Sequence, residues 1–410
     1  MQRNRERFRW ICTLLFTAMV ATPIPLSAQD GTATRLQLAA RFLSAGNQER
    51  AEEELQSVLR ASPHEYRALD LLGVIRVLQH RENDAEDLFR RVTQIKPELA
   101  SGHAHLGLLY LQTGRPEEAV AQLREAIRLD PARTDASDAL VHLWREQAQT
   151  ATKNEDSAAA LALLIDARKL APGSADVQFE FGMAALQMSL WEDAVEAFRE
   201  TLQLRKNDPM AVWGLGRAYM GQAKFEEASQ QFARYAALRP NDSAGHCALG
   251  MTLAALEHSA EARAQFEQSI GLAPGQTESY FRLGLLDLDS KDLDAATRNL
   301  RLVLRRDPKH AGALAALARV EFEQKRYAEA IDLLERAIAS DDSLGVAHYY
   351  LGLTYSRMGR KSESDQELQK ATQFGHQEVE KQRTIFKILD PGSTHAPDDS
   401  EGQPQKLPRG

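Results

Sequence analysis

The sequence predicts an all-α protein, an α-solenoid of about ten 34-residue helix-turn-helix repeats, and three recurrences carry that expectation. The first is the spacing of prolines. Pro63, Pro97 and Pro131 are 34 residues apart, Pro172 follows after 41, Pro240 after a further 68, and Pro274 and Pro308 after 34 each. The second is a small residue at one register of every unit: Ala51, Ala85, Ala119, Ala160, Ala194, Ala228, Ala262, Ala296, Ala330 and Ser364. The third follows it four positions later, where the side chain is always bulky and apolar: Leu55, Phe89, Leu123, Leu164, Phe198, Phe232, Phe266, Leu300, Leu334 and Leu368. In the first half of most units a glycine also recurs, at Gly73, Gly107, Gly182, Gly216, Gly250, Gly284 and Gly352.

The first element is not a repeat. Arg3, Arg5, Arg7 and Arg9 precede an apolar run from Trp10 to Ala21, which Pro23 and Pro25 break before Leu26-Ser27-Ala28. Positive start, short apolar core and small-residue exit read as a secretory signal peptide over residues 1–28, cleaved before Gln29. Leu26 is a poor residue three places before the cut, and an uncleaved anchor is the alternative. Cleavage removes Cys12 and leaves Cys247 alone, so no internal disulfide can form. An exported chain with one thiol suits a bacterial periplasm.

Within each unit, apolar residues at three- and four-residue spacing mark two amphipathic helices. Glycine in the first and alanine in the second remove bulk where the two backbones cross. The Leu or Phe four residues on is expected to fill the space between one hairpin and the next. Proline, as in Asp307-Pro308, ends the second helix and starts the following turn. Asn241-Asp242-Ser243 matches a glycosylation sequon, but the same residues make a helix N-cap, and that is the reading taken here.

These residues resemble the tetratricopeptide repeat family, whose signature is W-x2-L-G-x2-Y followed by A, F, A and P at fixed later positions. The clearest copies are Leu106-Gly107-x2-Tyr110 with Ala119, Leu123, Ala126 and Pro131, and Leu215-Gly216-x2-Tyr219 with Ala228, Phe232 and Pro240. The resemblance implies a right-handed superhelix over residues 32–376. Its units lie near 32–65, 66–99, 100–133, 134–174, 175–208, 209–242, 243–276, 277–310, 311–344 and 345–376. Arg76, Asp287 and Glu321 stand where the signature has an aromatic, Lys206 and Asp342 replace the proline, and Ala39 replaces the first glycine. Such losses are expected to weaken packing locally. The fourth unit carries seven extra residues within the polar stretch Gln147 to Asp156, which either lengthen paired helices or form a solvated loop. Val379, Ile385, Phe386 and Leu389 suggest a capping helix over 377–389, and the Pro-, Gly-, Ser- and Asp-rich segment 390–410 reads as a disordered tail.

Composition limits function. With 410 residues and a net charge of -8, the chain lacks the concentrated basic surface of a nucleic-acid binder. No apolar run reaches the roughly 18–20 residues of a bilayer span. His64-Glu65 lacks a second histidine because Ala68 stands in its place, and Gly214-Leu215-Gly216 meets Tyr219 where a phosphate-binding loop needs glycine. Lys361-Ser362 has no glycine-rich loop before it, and neither C-x-x-C nor G-x-S-x-G occurs. His103 and His105 lie two apart on a helix and point away from each other, so they cannot share a metal. The expectation is therefore no catalytic residue, no metal and no cofactor.

In the family, the first helix of each repeat lines the concave side, where partners lie as extended peptides or helices. Carried onto this chain, those positions give two surfaces. Repeats one to four are mixed, with Arg67, Asp70, Asp135, Asp138, His142, Arg145 and Glu146. Repeats five to ten carry Phe179, Met183, Leu186, Trp213, Met220, Met251, Phe281, Leu285, Leu288, Phe322, Tyr349 and Leu353, an apolar row of the kind that marks a binding surface. Packing between neighbouring first helices is the competing role for the same side chains. Trp213 and Phe281 are the expected anchors. The function expected is an exported, non-enzymatic scaffold in the cell envelope, binding a protein or peptide with an apolar face. The alternatives are a regulatory or substrate-presenting subunit of an enzyme whose catalytic domain is on another chain, and a structural spacer.

Overall fold

The structure, a computed structural model, describes residues 31–374; the expected signal peptide, capping helix and tail lie outside the described residues. Among the described residues all regular structure is helical. The described residues divide into two compact units, which part between Ala184 and Ala185. The first contains α1 (Gly31–Ser44), α2 (Gln48–Ala61), α3 (Tyr66–Leu78), α4 (Glu82–Ile95), α5 (Ala100–Gln112), α6 (Pro116–Leu129), α7 (Thr134–Lys153) and α8 (Ser157–Leu170). The division falls within α9 (Ala175–Gln187). The second unit contains α10 (Trp191–Leu204), α11 (Pro209–Gly221), α12 (Phe225–Leu238), α13 (Ser243–Ala255), α14 (Ser259–Leu272), α15 (Glu278–Asp289), α16 (Leu293–Arg306), α17 (Ala311–Glu323), α18 (Tyr327–Ser340) and α19 (Gly345–Arg357). A last helical stretch covers 361–374. Odd-numbered helices open a hairpin and even-numbered helices close it.

The two helices of a hairpin are buried differently, and sequence explains why. A second helix such as α2 buries one stripe, Ala51, Leu55 and Val58, and leaves Glu49, Arg50 and Glu53 toward water. A first helix such as α3 buries residues all round, from Ala68 and Leu69 to Ile75 and Val77, because it packs on its own second helix and on the preceding one. First helices also touch first helices of adjacent repeats within each unit, α3 with α5 and α15 with α17 among them.

The recurrent glycine and bulky residue form one contact, sixteen residues apart. A Cβ at Gly73 would lie 2.5 Å from the Phe89 ring, one at Gly107 2.7 Å from Leu123, and one at Gly250 2.7 Å from Phe266. The bulky side chain thus rests on its own hairpin's glycine instead of filling only the space toward the next hairpin. Phe198 additionally presses on Gly214 of the following hairpin. The recurrent alanines are fully buried from Ala51 to Ala330, and Phe89, Phe198 and Phe232 have no exposed surface.

Each hairpin turn uses one device. Gly46, His80, Gly114, Glu155, Ser189, Ala223, Glu257, Lys291, Lys325 and Gly359 all have φ between 56° and 78°, the left-handed region. The next residue's N–H then returns to a carbonyl five residues back, as Arg81 does to Arg76 and Lys224 to Tyr219. Some helices begin on a side-chain cap: Asp208 accepts from the Met210 and Ala211 N–H groups, and Asp242 from Ala244, so the sequon residues do form a cap.

The departures from the aromatic signature position are filled by ion pairs, which corrects the expectation of weakened packing. At Tyr110 the ring carries the Arg115 guanidinium at 4.2 Å, and Arg90 of α4 donates to the hydroxyl at 3.3 Å. Arg76 instead donates from both terminal nitrogens to Glu52 of α2, at 2.6 and 2.8 Å. Asp287 is wholly buried and accepts from Arg263 of α14 and Asn299, while Glu321 pairs with Arg326. Arg76–Glu52 and Asp287–Arg263 join neighbouring repeats as Arg90–Tyr110 does, whereas Glu321–Arg326 stays within its own hairpin.

The seven extra residues lie entirely in α7. It has 20 residues, whereas α5 has 13, and α8 keeps the usual 14. Only the first helix lengthens, by about 10 Å, so neither the paired-helix nor the loop expectation holds. Seven residues are close to two turns, and the lattice resumes in register: buried Ala148 stands sixteen before Leu164, in the glycine's place.

Two outcomes follow from this packing. Gly250→Ala is expected to cost roughly 1–3 kcal/mol because Phe266 cannot withdraw, although alanine is the better helix former. Gly271→Ala, where nothing lies within 4 Å, should gain about 0.5–1 kcal/mol; denaturant melts of both variants check the opposite signs. Glu52 is held at about 2, first by its hydrogen bonds from Arg76 and against the opposing effect of burial. A depressed carboxyl stabilises the fold above its unfolded value, so that contribution is present above about pH 4.5 and is lost as pH falls toward 2. Glu52→Ala should cost about 2 kcal/mol at pH 7 by leaving Arg76 unpaired, and the double variant Glu52→Ala/Arg76→Tyr should recover most of it.

Candidate functional site

The first-helix layer of the second unit contains a depression of about 740 Å³. Met220 at the end of α11, Met251, Ala254 and Ala255 of α13, and Leu285 and Leu286 of α15 line it, with Phe225 and Phe266 behind. The hollow has a local cause. Ala254 occupies the register held by Met220 one repeat earlier and by Leu288 one repeat later, so a small side chain in repeat seven leaves space that larger ones fill in its neighbours.

Arg282 and Asp289 stand at the rim, and each has an opposite charge. Arg282 Nε donates to Glu278 at 2.6 Å, and Arg319 of α17 meets Asp289 at 3.1 Å. The Arg319 guanidinium also lies 5.8 Å from the Tyr350 ring, whose hydroxyl burial pushes upward. These paired charges border an apolar floor.

Met220, Met251 and Leu285 are therefore brought together, as three of the expected binding residues. The others are placed differently. Leu186 and Leu288 are 5% and 2% exposed, so they belong to packing between helices and present no face to a partner. Trp213 is half-buried against its own hairpin, with ring centroids 5.1 Å from Phe232 and 4.9 Å from Tyr235. Tyr235 itself donates to Asp242 at 2.5 Å, and burial with that bond pushes its hydroxyl up to about 12. Phe281 packs over Gly312 and beside His310 at 4.9 Å. Phe322 lies between Tyr327 and Tyr350, Leu353 is half-buried, and Tyr349 is 46% exposed. Phe179 and Met183 are half-buried in the first unit. Sequence reasoning missed Ala254, Ala255 and the Arg282–Asp289 rim; the signal was small residues in place of large ones, and only large ones had been sought.

In the first unit the charged residues of the first helices largely satisfy one another. Arg145 donates to both Glu180 oxygens at 2.8 and 2.9 Å, Asp70 meets His105 at 2.7 Å, and Arg133 meets Asp135 at 2.9 Å. Burial, with the neighbouring Asp135 charge, raises the Asp138 carboxyl. His103 faces Gln122 and the Pro97 carbonyl, so the two nearby histidines have separate partners. Among the described residues no group of three or more His, Cys, Asp and Glu converges to hold a metal, and no helix is long and apolar enough to cross a membrane.

A stack of helical hairpins closed by left-handed turns, with a lined hollow on its first-helix layer, defines a helical-repeat solenoid. Tetratricopeptide repeat family models match residues 36–100, 100–133, 145–209, 185–251, 244–276 and 287–343, and the chain belongs to that family. It is similar to the type IV pilus assembly protein PilF of Pseudomonas aeruginosa, at 27% identity over 143 residues, 28% of this chain and 57% of that protein. It is similar to mouse Superkiller complex protein 3 at 35% identity over 82 residues, 20% of this chain and 5% of that one. The chain thus spans about half, or far less, of the curated relatives it matches. Among solved structures, the APC/C hetero-tetramer Cut9–Hcn1 aligns at 13% identity with a TM-score of 0.46, over 92% of this chain and 99% of that one.

Because Trp213 stacks on two rings of its own second helix, Trp213→Ala should lower stability by roughly 2–4 kcal/mol in a denaturant melt. Tyr349→Ala, at an exposed position, should change it by less than about 0.5 kcal/mol.

Proposed function

We propose that this chain is an exported, non-enzymatic scaffold of the cell envelope that holds a protein or peptide partner through an apolar face of that partner. The carrying observation is the hollow floored by Met220, Met251 and Leu285, where Arg282 and Asp289 are already paired and Glu257 is the remaining charge in the lining. Methionine adapts to irregular surfaces, which suits a ligand of loose sequence specificity. Similarity to a pilus assembly protein supports an assembly role, and the Arg-rich start with its short apolar run supports export. The net charge of -8 supports a protein partner over a nucleic acid.

The test is recovery of partners from an envelope fraction by the full chain and by Met251→Glu, with melting followed in parallel. Placing a charge on the hollow floor should weaken binding about thirty-fold, equivalent to ~2 kcal/mol, with little dependence on salt in the parent protein. Asp138→Asn, in the other unit, should leave binding unchanged. Equal recovery by Met251→Glu at unchanged stability would exclude the hollow as the binding face. Amino-terminal sequencing of the same envelope-purified protein should read Gln29 first; an intact Met1 in the membrane pellet would establish the anchored form.

A further inference from the structure

Three first helices carry a histidine at one register, each six residues after the turn residue whose carbonyl it reaches. His103, His246 and His348 place Nε2 at 2.9, 3.1 and 3.0 Å from the carbonyl oxygens of Pro97, Pro240 and Asp342. Their Nδ1 atoms meet a residue nineteen positions on: Gln122 at 2.8 Å, Gln265 at 2.9 Å and Glu367 at 2.5 Å. At the same register Gln178 donates its amide to the Pro172 carbonyl at 2.9 Å.

The third histidine differs chemically from the first two. A neutral imidazole has one N–H, and a glutamine can turn its amide to donate to the other nitrogen. One ring proton therefore satisfies His103 and His246. Around His348 both partners only accept, one a carbonyl and the other a carboxylate. Both contacts are hydrogen bonds only when the ring carries two protons. We propose that His348 and Glu367 form a pH-sensitive clasp on the last described hairpin, closed when the ring is doubly protonated and loosened when it holds one proton.

The surroundings fit a charged clasp. The His348 and Glu367 side chains are 4% and 14% exposed, and Phe374 lies against the imidazole at 5.2 Å. Charged groups on the elements packed against α19 are Lys361, Glu363, Asp365, Glu367 and Lys370 on the last helix, Asp341 and Asp342 in the turn before α19, Glu329, Asp332, Glu335 and Arg336 on α18, and Arg319, Glu321 and Glu323 on α17. Glu363 is paired with Arg360, Asp341 accepts from Ser343, and Arg336 meets Asp332, which leaves Glu367 as the group bonded to the ring. Lys370 holds the other Glu367 oxygen at 2.7 Å. Burial pushes the Glu367 carboxyl up, but Lys370 and His348 outweigh it and hold it below the usual range. Tyr349, the exposed residue of the binding row, directly follows the clasp, so opening it would alter how that ring is presented. That consequence rests on the proposed binding face; the clasp does not.

Hydrogen exchange on the full chain at pH 5.5 and 7.5, corrected for intrinsic rates, tests it. Amides of 361–374 should be about tenfold better protected at pH 5.5, as expected for loss of one charge-assisted bond. The hairpin of His246 should show no such ratio, whereas that of His103 is not a control because His105 on the same helix meets the Asp70 carboxylate. Glu367→Gln and His348→Gln, the latter copying Gln178, should each abolish it. His310 acts in the opposite sense, because its Nδ1 accepts from Ala313 and protonation removes that cap, but its effect falls on α17 and is independent of Glu367. Equal protection of 361–374 at both pH values in the parent protein, or a ratio that persists in both variants, overturns the clasp. A ratio present while partner affinity is unchanged by pH leaves the clasp standing and removes Tyr349 from the binding face.

Discussion

The contact on which the array depends is a missing side chain. Where Gly73, Gly107, Gly216, Gly250, Gly284 or Gly352 faces the Leu or Phe sixteen residues later, a Cβ would sit at 3.0 Å or less from that side chain. The close approach fixes how the two helices of a hairpin cross, and the alanine four residues before the bulky side chain, on the same face of the second helix, is buried by the same geometry. Hairpin length, turn type and the spacing of prolines follow from keeping that contact in register from one unit to the next. Even the lengthened α7 obeys it, since seven residues return Ala148 to the glycine's place.

Much of this was legible in the sequence because it is periodic. A residue type that recurs at one register in all ten units announces its own environment, and the small-residue and Leu/Phe columns named the core without knowledge of any neighbour. The non-periodic features were not legible. Nothing local shows that Arg76 will find Glu52, or that Asp287 will be wholly buried on Arg263, because each partner lies 24 residues back on another helix. The signature's aromatic drew attention to what these units lacked, and the structure shows what they have instead.

The binding face was legible only in part, for a related reason. First helices pack on three sides, so an apolar residue at a first-helix position can serve a neighbour or a partner. Trp213 and Phe281 were expected to anchor a ligand because they are large, yet their size is what allows them to reach Phe232, Tyr235 and His310. The hollow forms where side chains are small, at Ala254 and Ala255. In this array the hollow is a deficit in the pattern, which conspicuous residues do not mark.

The inter-repeat attachments also constrain how such an array can grow. A tandem copy of the unit containing Arg76 would place that arginine 24 residues after Glu86, another acid, and the joint would be served. A tandem copy of the unit containing Asp287 would set its carboxylate opposite Thr297, with no cation to replace Arg263. A buried carboxylate without its partner is costly, so duplication is permitted at one joint and barred at the other. The order of these units is thereby written into their chemistry, and the repeats, alike in outline, are not interchangeable.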